Sequence, residues 1–486
     1  MNCKILINAI DPEECRIAKV KDSKLEEFHI ESAAREIIHS NIYKGIIVRV
    51  EPSLQAVFVD YGTERHGFLQ KHEIHSDYFQ DSHQKNRSIA NIVKRGQELI
   101  VQVTKDPYMK KGAMLSTLIS LPGRYIVLLP GSKTRGISRK VEDEDERKRL
   151  KNIIDSLALP EGFGIIIRTA GTNNTKSLIS RDLRYLLRLW KNIKKNINKV
   201  KAPVLLYKDR NIVLRSIRDY FTPDVTEILI DNPSVFHETK DFVNIISPKH
   251  TKIVTLYKGA KPIFTKYQLE DQIASIFEGR VALKSGGSIV IEQTEAMVSI
   301  DVNSGKATRK KSIEETAFTT NIEAAEEIAR QLRLRDLGGL IVIDFIDMRD
   351  QKHKTKVESM LKANLKGDKA KIKIGKISRF GLLEMSRQRL RPSIKFGGFE
   401  SCHYCKGKGL TPSPETLGVS LLRKLSLGTL KDGISSVKAI VPIEVANYLL
   451  NKKRKEIFDM EARQNLSVEI KGDNTMVPGE SNIIYE

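Results

Sequence analysis

The apolar positions along the chain follow two rhythms. Residues 1–34 (KILINAI, CRIAKV, then a Glu/Phe/His/Ile stretch) read as two or three strands that close nothing alone, so they are expected to pair with a later segment. Residues 35–118 alternate in short runs with turns between them: IYKGIIVRVEPSLQAVFVDYG, HGFLQKHEI, QELIVQVTKDP and KKGAMLST. Five or so short strands of this kind fit a small barrel. Residues 119–212 are mixed, with strands RYIVLLPG and FGIIIRTAG, a capped and highly charged helix in GISRKVEDEDERKRLKNIIDSL, and a basic helix from about Asp182 to Lys199. The Lys/Arg run of that helix reads by itself as a solvated face, with an RNA track as the alternative. Residues 213–276 return to strand and helix. The tail, 412–486, carries one apolar helix (LGVSLLRKL) and a short α/β pattern (VKAIVPIEVANYLL).

The segment 277–395 is the most informative. SIVIEQTEAMVSIDVNS reads as a hairpin. Side chains alternate along a strand, so Val298, Ile300 and Val302 share an apolar face while Ser299, Asp301 and Asn303 share the other. A helix is predicted from about Ile313 to Arg335, with Phe318, Ile322, Ala325, Ala329 and Leu332 recurring at three and four, stopped by Gly338 and Gly339. LIVIDFIDM follows, a continuous apolar run typical of a central parallel strand, with Leu340, Val342 and Asp344 on one side. A right-handed strand–helix–strand unit brings the two strands together in parallel, so Asp301 and Asp344 are expected to converge near their C-terminal ends. Two carboxylates with an amide nearby suit one octahedral Mg²⁺ that keeps several waters, and such an ion activates water and neutralises a phosphodiester. Competing readings exist. Asp301 before Asn-Ser-Gly is a turn candidate. Asp344 resembles the acidic strand of a nucleotide hydrolase, but Asn303-Ser304-Gly305-Lys306 lacks the first glycine of GxxxxGK[ST]. Asp347 is another candidate carboxylate, although alternation places it opposite Asp344.

Charge changes the picture more than composition does. The chain has 486 residues, enough for about three to five compact units. Its 40% hydrophobic and 29% charged residues are an ordinary globular balance. Lys and Arg number 82 against 60 Asp and Glu, a formal net charge of +22 that favours a polyanion, either nucleic acid or an anionic membrane surface. A basic chain from a Lys/Asn/Ile-rich genome is the plain alternative. No run of 18 apolar residues exists, and MNCKILINAI lacks the features of a signal peptide. In the barrel segment, Phe58 and Phe68 are candidate stacking platforms for bases, or core residues, and Lys111 a candidate backbone contact.

The four cysteines, Cys3, Cys15, Cys402 and Cys405, form no disulfide framework, and a reducing cytoplasm is their natural setting. Phe399-Glu400-Ser401-Cys402-His403-Tyr404-Cys405-Lys406-Gly407-Lys408-Gly409 looks like half a zinc knuckle, whereas structural zinc takes four protein ligands. Three options follow: His403 plus another residue completes the site, the pair is a redox dithiol, or two chains share one zinc.

These residues, in this order, resemble the ribonuclease E/G family. The resemblance rests on NIYKG (41–45), FVDYG (58–62), HGFL (66–69), GISR (136–139), IIRTAG (166–171), RDYF (218–221), SGGSIVI (285–291), TEAMVSIDVNSG (294–305), ARQLRLRDLGGLIVIDFIDM (329–348), SRFGLLEMSRQRLRPS (378–393) and the CxxC. It covers the chain to about residue 411, and the tail matches more loosely. It implies an α/β multidomain architecture. Residues 1–34 with 213–276 make a ribonuclease-H-like domain, into which an S1-type OB barrel (35–118) and a 5′-sensor region (119–212) are inserted. A DNase-I-like catalytic domain (277–395), a zinc link (396–411) and a small α/β dimerisation domain (412–486) follow. In this resemblance Asp301 and Asp344 hold one Mg²⁺ per chain and Asn303 orients the scissile phosphate. Cys402 and Cys405 share Zn²⁺ with a second protomer, one zinc per two chains, giving a homodimer and then a homotetramer as a dimer of dimers. Gly123, Val127, Arg168 and Thr169 form a pocket for a 5′-monophosphate. Where that pocket usually has a further arginine this chain has Lys371, which keeps the charge and loses the bidentate fork. The chain ends without the long disordered scaffold of a full ribonuclease E, so its length is of the G type while its core motifs are closer to the E type.

Two functional readings follow. One is a Mg²⁺-dependent endoribonuclease that cuts single-stranded, AU-rich RNA in rRNA and tRNA processing and mRNA decay, leaves 5′-phosphate and 3′-hydroxyl ends, and prefers 5′-monophosphorylated substrates. The other is a non-catalytic RNA-binding or scaffold protein. RNA-degradation enzymes are the expected further partners. The expected location is the cytoplasm, with peripheral association at the inner membrane left open.

Overall fold

In the computed structural model of the chain, residues 3–32, 38–79, 88–107, 111–197, 199–209, 211–222, 224–305, 312–389, 394, 401–430 and 433–486 are described. Lys306, Leu390 to Ser393, Phe399 and Glu400 of the motifs above lie outside them. The chain divides into two compact units, Met1–Gly397 and Gly398–Glu486.

The N-terminal strands do find a later partner. Cys3–Asn8 pairs in parallel with Val225–Ile230 and antiparallel with Glu14–Lys21, within a five-stranded sheet whose outer members are Val254–Leu256 and Lys24–Ser32. Ile5 and Ile7 enter one core cluster and Leu6 another, so the strand is covered on both faces. That is why KILIN reads as a continuous apolar run rather than an alternating one.

Between these strands, Ile42–Glu51, Ala56–Asp60, Gly67–Gln70, Met114–Ser116 and Glu98–Lys105 close into a five-stranded barrel, because the first strand also pairs with the last. Val204–Tyr207 adds to the free edge of Ile42–Lys44. A four-stranded sheet follows, ordered Arg135–Ile137, Phe163–Ile167, Ile126–Pro130 and Leu121–Pro122, with helices Glu144–Asp155 and Lys176–Ile197 packed on its core. The second helix starts before Asp182. Asp182, the expected start, lies inside the helix and its carboxylate is spent on a tertiary contact, accepting the backbone N–H of Tyr125 at 2.7 Å and of Ile126 at 3.2 Å.

The last sheet of this unit has six strands in the order Arg280–Ala282, Ser288–Gln293, Met297–Asn303, Gly339–Asp344, Leu382–Arg387 and Ile372–Ile377. Helices Ile313–Leu334 and Gln351–Leu365 supply its core with Ala324, Ile328, Leu332, Val357 and Leu361. The first helix opens as a capping-box sequence, Ser312-x-x-Glu315, and the Ser312 hydroxyl accepts the Glu315 N–H at 3.1 Å. Its stop differs from expectation. The helix ends at Leu334, Asp336 turns the chain at φ 46°, and Gly339 opens the next strand at φ 105°. The strand Gly339–Asp344 is central, but only Ile341 and Ile343 face the helices, and Leu340 is 59% exposed. The apolar run therefore does not mean burial on both faces here.

The second unit is a three-stranded sheet, with Ser436–Pro442 parallel to Ser467–Asp473 and antiparallel to Asn482–Tyr485. Helices Pro414–Gly428, Ile443–Lys452 and Arg454–Gln464 complete it. Among the described residues no helix is long and apolar enough to cross a membrane.

Candidate active site and nucleic-acid interface

The six-stranded sheet places two carboxylates in register. Met297–Asn303 and Gly339–Asp344 are parallel, and Asp301 is the direct partner of Asp344. Val298, Ile300 and Val302 are buried toward the helices, whereas Asp301 and Asp344 are exposed on the other face. Adjacent strands lie about 4.8 Å apart, so paired side chains on one face share one small volume. The Asn303 amide donates to Asp301 Oδ2 at 2.7 Å.

A third acid joins them, contrary to the alternation argument for Asp347. The strand stops at Asp344, so its period no longer applies three residues later. Gly381 shows the result: a Cβ built there would lie 3.2 Å from Asp347 Oδ1 and 4.0 Å from Asp344 Oδ1. Gly381 has φ +82°, so it serves the turn and keeps the space between these carboxylates clear. Burial, then the charges of Asp301 and Asp347, push the Asp344 carboxyl above its usual range. That excess of negative charge suits a cation. Among the described residues no group of three or more His, Cys, Asp and Glu side chains is placed to hold a metal. The donor set that is present, two carboxylates in register beside an amide, therefore fits a hard divalent ion that keeps much of its water.

Two residues that the sequence reading missed fix the loop after Asp344. Asn321, fully buried on the helix face, donates to the Ile346 carbonyl at 2.8 Å and accepts the Ile346 N–H at 3.1 Å. Glu314 accepts the N–H groups of Arg349 at 3.0 Å and Asp350 at 3.2 Å and contacts His353 Nδ1 at 2.9 Å. These contacts, the Arg349 N–H first, hold its carboxyl down at about 2. The sequence signal for Asn321 was a polar side chain in the buried stripe Ala317, Asn321, Ala324, Ile328.

The barrel presents an aromatic row. Phe58 and Phe68 are register partners with ring centroids 5.7 Å apart, both half-buried. Arg49, the partner of Phe58 on its other side, lies 4.4 Å from the Phe58 ring and was not among the predicted residues. Lys111 is exposed. The row Arg49–Phe58–Phe68 combines a cation with stackable rings, the usual equipment for bases and phosphates.

Arg168 follows the strand Phe163–Ile167, and two of its donors are already engaged. One nitrogen donates to the Gly123 carbonyl at 2.6 Å and the other pairs with Asp219 at 2.6 Å. Burial opposes ionisation of Asp219, but the Arg218 and Arg168 guanidiniums hold its carboxyl well below the ordinary range. Thr169 is exposed, with its hydroxyl 3.1 Å from that of Ser138. Val127 is half-buried and pairs with Ile166. Lys371 is exposed at the start of the edge strand. Its neighbours are tied to the Arg168 region: Lys140 Nζ donates to the carbonyls of Asp368 at 2.8 Å and Ala370 at 3.1 Å, and Lys369 Nζ lies 2.9 Å from the centre of the Tyr220 ring.

In the second unit Cys402 is exposed and Cys405 half-buried, both as free thiols. Gly407 and Gly409 have φ +80° and +74°, which turns the backbone so that Gly409 N–H donates to Cys405 Sγ at 3.4 Å. The N–H groups of Gly409, Gly407 and Lys408 lower the Cys405 thiol below its ordinary value. A sulfur cradled in this way suits metal ligation.

A sequence model described as the Ribonuclease E/G family matches residues 120–390, more than half of the chain. The chain belongs to the ribonuclease E/G family. Two further models flank that match, an S1 RNA binding domain over residues 37–117 and an RNase E/G thioredoxin-like domain over residues 401–485. The tail is thus also part of the family likeness. Ribonuclease E of Haemophilus influenzae is 47% identical over 476 residues, 97% of this chain and 51% of that protein. Ribonuclease E of Escherichia coli K12 is 48% identical over 95% of this chain and 44% of its own length. Ribonuclease G of the same strain is 38% identical over 87% of this chain and 88% of its own. This family member therefore spans about half the length of these two ribonuclease E relatives.

Proposed function

We propose that this ribonuclease E/G family chain is a Mg²⁺-dependent endoribonuclease acting on single-stranded, AU-rich RNA in rRNA and tRNA processing and mRNA decay. The observation that carries the reading is the register pairing of Asp301 with Asp344 on an exposed sheet face, with Asn303 beside them and Asp347 adding charge. Asp301 and Asp344 would hold Mg²⁺, which when bound supplies an activated water and charge neutralisation at the phosphodiester. Asn303 would orient the scissile phosphate. Asn321 and Glu314 keep the loop after Asp344 in place. The aromatic row of the barrel would grip the strand being cut, and hydrolysis would leave 5′-phosphate and 3′-hydroxyl ends.

In the same reading, Gly123, Val127, Arg168, Thr169 and Lys371 receive a 5′-monophosphate. Arg168 has five N–H donors and spends two on Gly123 and Asp219, so others stay available to a phosphate. Asp219 acts as its positioning partner. Cys402 and Cys405 would take a Zn²⁺ shared with a second chain, and the exposed Leu427, Leu430 and Phe458 of that unit leave apolar surface for assembly into dimers and tetramers. The five-stranded sheet with three parallel strands and the helix-backed six-stranded sheet support ribonuclease-H-like and DNase-I-like domains respectively. RNA-degradation enzymes are the proposed further partners, and the cytoplasm, with peripheral contact to the inner membrane, is the proposed setting.

The test is incubation of the purified chain with an AU-rich single strand in Mg²⁺ or in EDTA. Internal cleavage in Mg²⁺ that stops in EDTA is expected. Binding without cleavage in both would replace the enzyme with an RNA-binding scaffold.

A further inference from the structure

The helix Lys176–Ile197 exposes Arg181, Arg184, Arg188, Lys191 and Lys195. Their spacing alternates three and four. At about 100° per residue the five fall within an arc of about 80° and run along about 21 Å of helix axis. The opposite side, with Ile179, Leu183, Leu186 and Ile193, is buried in the core of the four-stranded sheet. The only acid of the helix is Asp182, buried and turned inward to the backbone of Tyr125 and Ile126. Nothing on the helix itself neutralises the stripe, and among the described residues none of the five cations is in an ion pair.

A merely solvated face would not need this arrangement. Like charges three and four apart on a helix repel one another, and this face has four such neighbouring pairs in a row. A polyanion laid along the stripe relieves all of them at once. We propose that the stripe is a track for the phosphodiester backbone of single-stranded RNA, made of side chains other than the carboxylates of the cleavage site and the residues of the Arg168 pocket. The inference rests on the reading that this chain acts on RNA and adds a binding surface to it. Tyr185 and Trp190 are packed against the core, so the track offers charge without stacking platforms and is tolerant of sequence. A bilayer is the less suitable partner, because the apolar side of the helix is already buried and no large apolar residue of the helix is exposed.

The test uses the full chain carrying Arg184→Gln, Arg188→Gln and Lys191→Gln together. All three side chains are exposed, so an unchanged thermal unfolding curve is expected. RNA affinity is measured in EDTA across a salt series, on one short oligonucleotide and on one RNA several times longer. On the long RNA the variant should bind about tenfold more weakly at low salt, and the slope of log K against log salt should fall by about 2, three lost contacts at about 0.7 each. Affinity for the short oligonucleotide and its cleavage rate in Mg²⁺ should not change. Equal slopes and affinities on the long RNA would overturn the track while leaving wild-type cleavage intact. Loss of binding to phosphatidylserine vesicles with an unchanged RNA slope would assign the stripe to a membrane instead. A wild type that neither binds nor cuts RNA would remove the parent reading as well.

Discussion

Replacing Asn321 with alanine is expected to slow cleavage from a buried position on the helix face. The side chain is fully buried in the helix Ile313–Leu334 and makes two hydrogen bonds to the backbone of Ile346, between Asp344 and Asp347. Alanine removes both, leaving a carbonyl and an N–H without partners. Each such loss costs about 1–3 kcal/mol when fully buried. Ile346 is only half-buried, and water recovers part of this, so about 2 kcal/mol of local stability is expected to go. That corresponds to roughly thirtyfold faster hydrogen exchange at the Ile346 amide, if it exchanges by local opening. A displacement of about 1 Å in the carboxylates costs on the order of 10²-fold in rate. The assay is exchange at Ile346 together with single-turnover cleavage and RNA affinity. Faster exchange, a rate down by that factor and unchanged affinity are expected. Cleavage within twofold of wild type would refute the argument that this clamp positions the carboxylates. Equal loss of binding and cleavage would point to general unfolding instead.

RNA with a 5′-monophosphate should be cut faster than the same RNA with a 5′-triphosphate or 5′-hydroxyl, by about 1–2 kcal/mol, and the preference should vanish in Arg168→Gln. Equal rates on all three substrates would remove the sensor, and a larger preference in Lys371→Arg would show that the lysine weakens it. Cys402→Ser with Cys405→Ser should release zinc and halve the particle mass; one zinc per chain in wild type, rather than one per two, would contradict the shared site. Glu314 titrates at about 2 against an ordinary 4.5, so its folded-state pKa is depressed. Its contribution is complete above about pH 4.5 and is lost as pH falls toward 2. The stability gap between wild type and Glu314→Gln should shrink through that window, and a gap constant from pH 6 to about 2 would count against the contact.

The parts of this molecule that were legible in sequence are those set by local periodicity. Alternation in Met297–Asn303 assigned Asp301 and Asn303 to the exposed face, and the strand–helix–strand pattern paired that strand with Asp344. Alternation misled at Asp347, because a period holds only while the strand lasts, and nothing local marks Asp344 as its last residue. Alternation placed Leu340 on the side of Asp344, where it lies exposed, but the apolar run LIVIDFIDM did not distinguish two covered faces from one. Contacts between distant segments were invisible in principle. Asp219 meets Arg168 across 51 residues, and the carbonyls of 368 and 370 meet Lys140 across more than 200, with no spacing rule to announce them. Asn321 left a faint trace, a polar side chain in a buried stripe, that becomes meaningful only once the loop it holds is known. The basic helix shows the opposite case. Its charge was obvious, but its alignment opposite a buried face with one inward acid required the fold.

The central claim is that Asp301 and Asp344 together hold the ion that makes this chain a nuclease. The most direct measurement is single-turnover cleavage of one single-stranded RNA by Asp301→Asn and by Asp344→Asn, with RNA affinity measured in parallel. The account predicts that each substitution abolishes cleavage in Mg²⁺, a loss of several kcal/mol of transition-state stabilisation, while affinity stays within a fewfold of wild type, because phosphate contacts elsewhere carry it. Near-normal cleavage by both variants would contradict it.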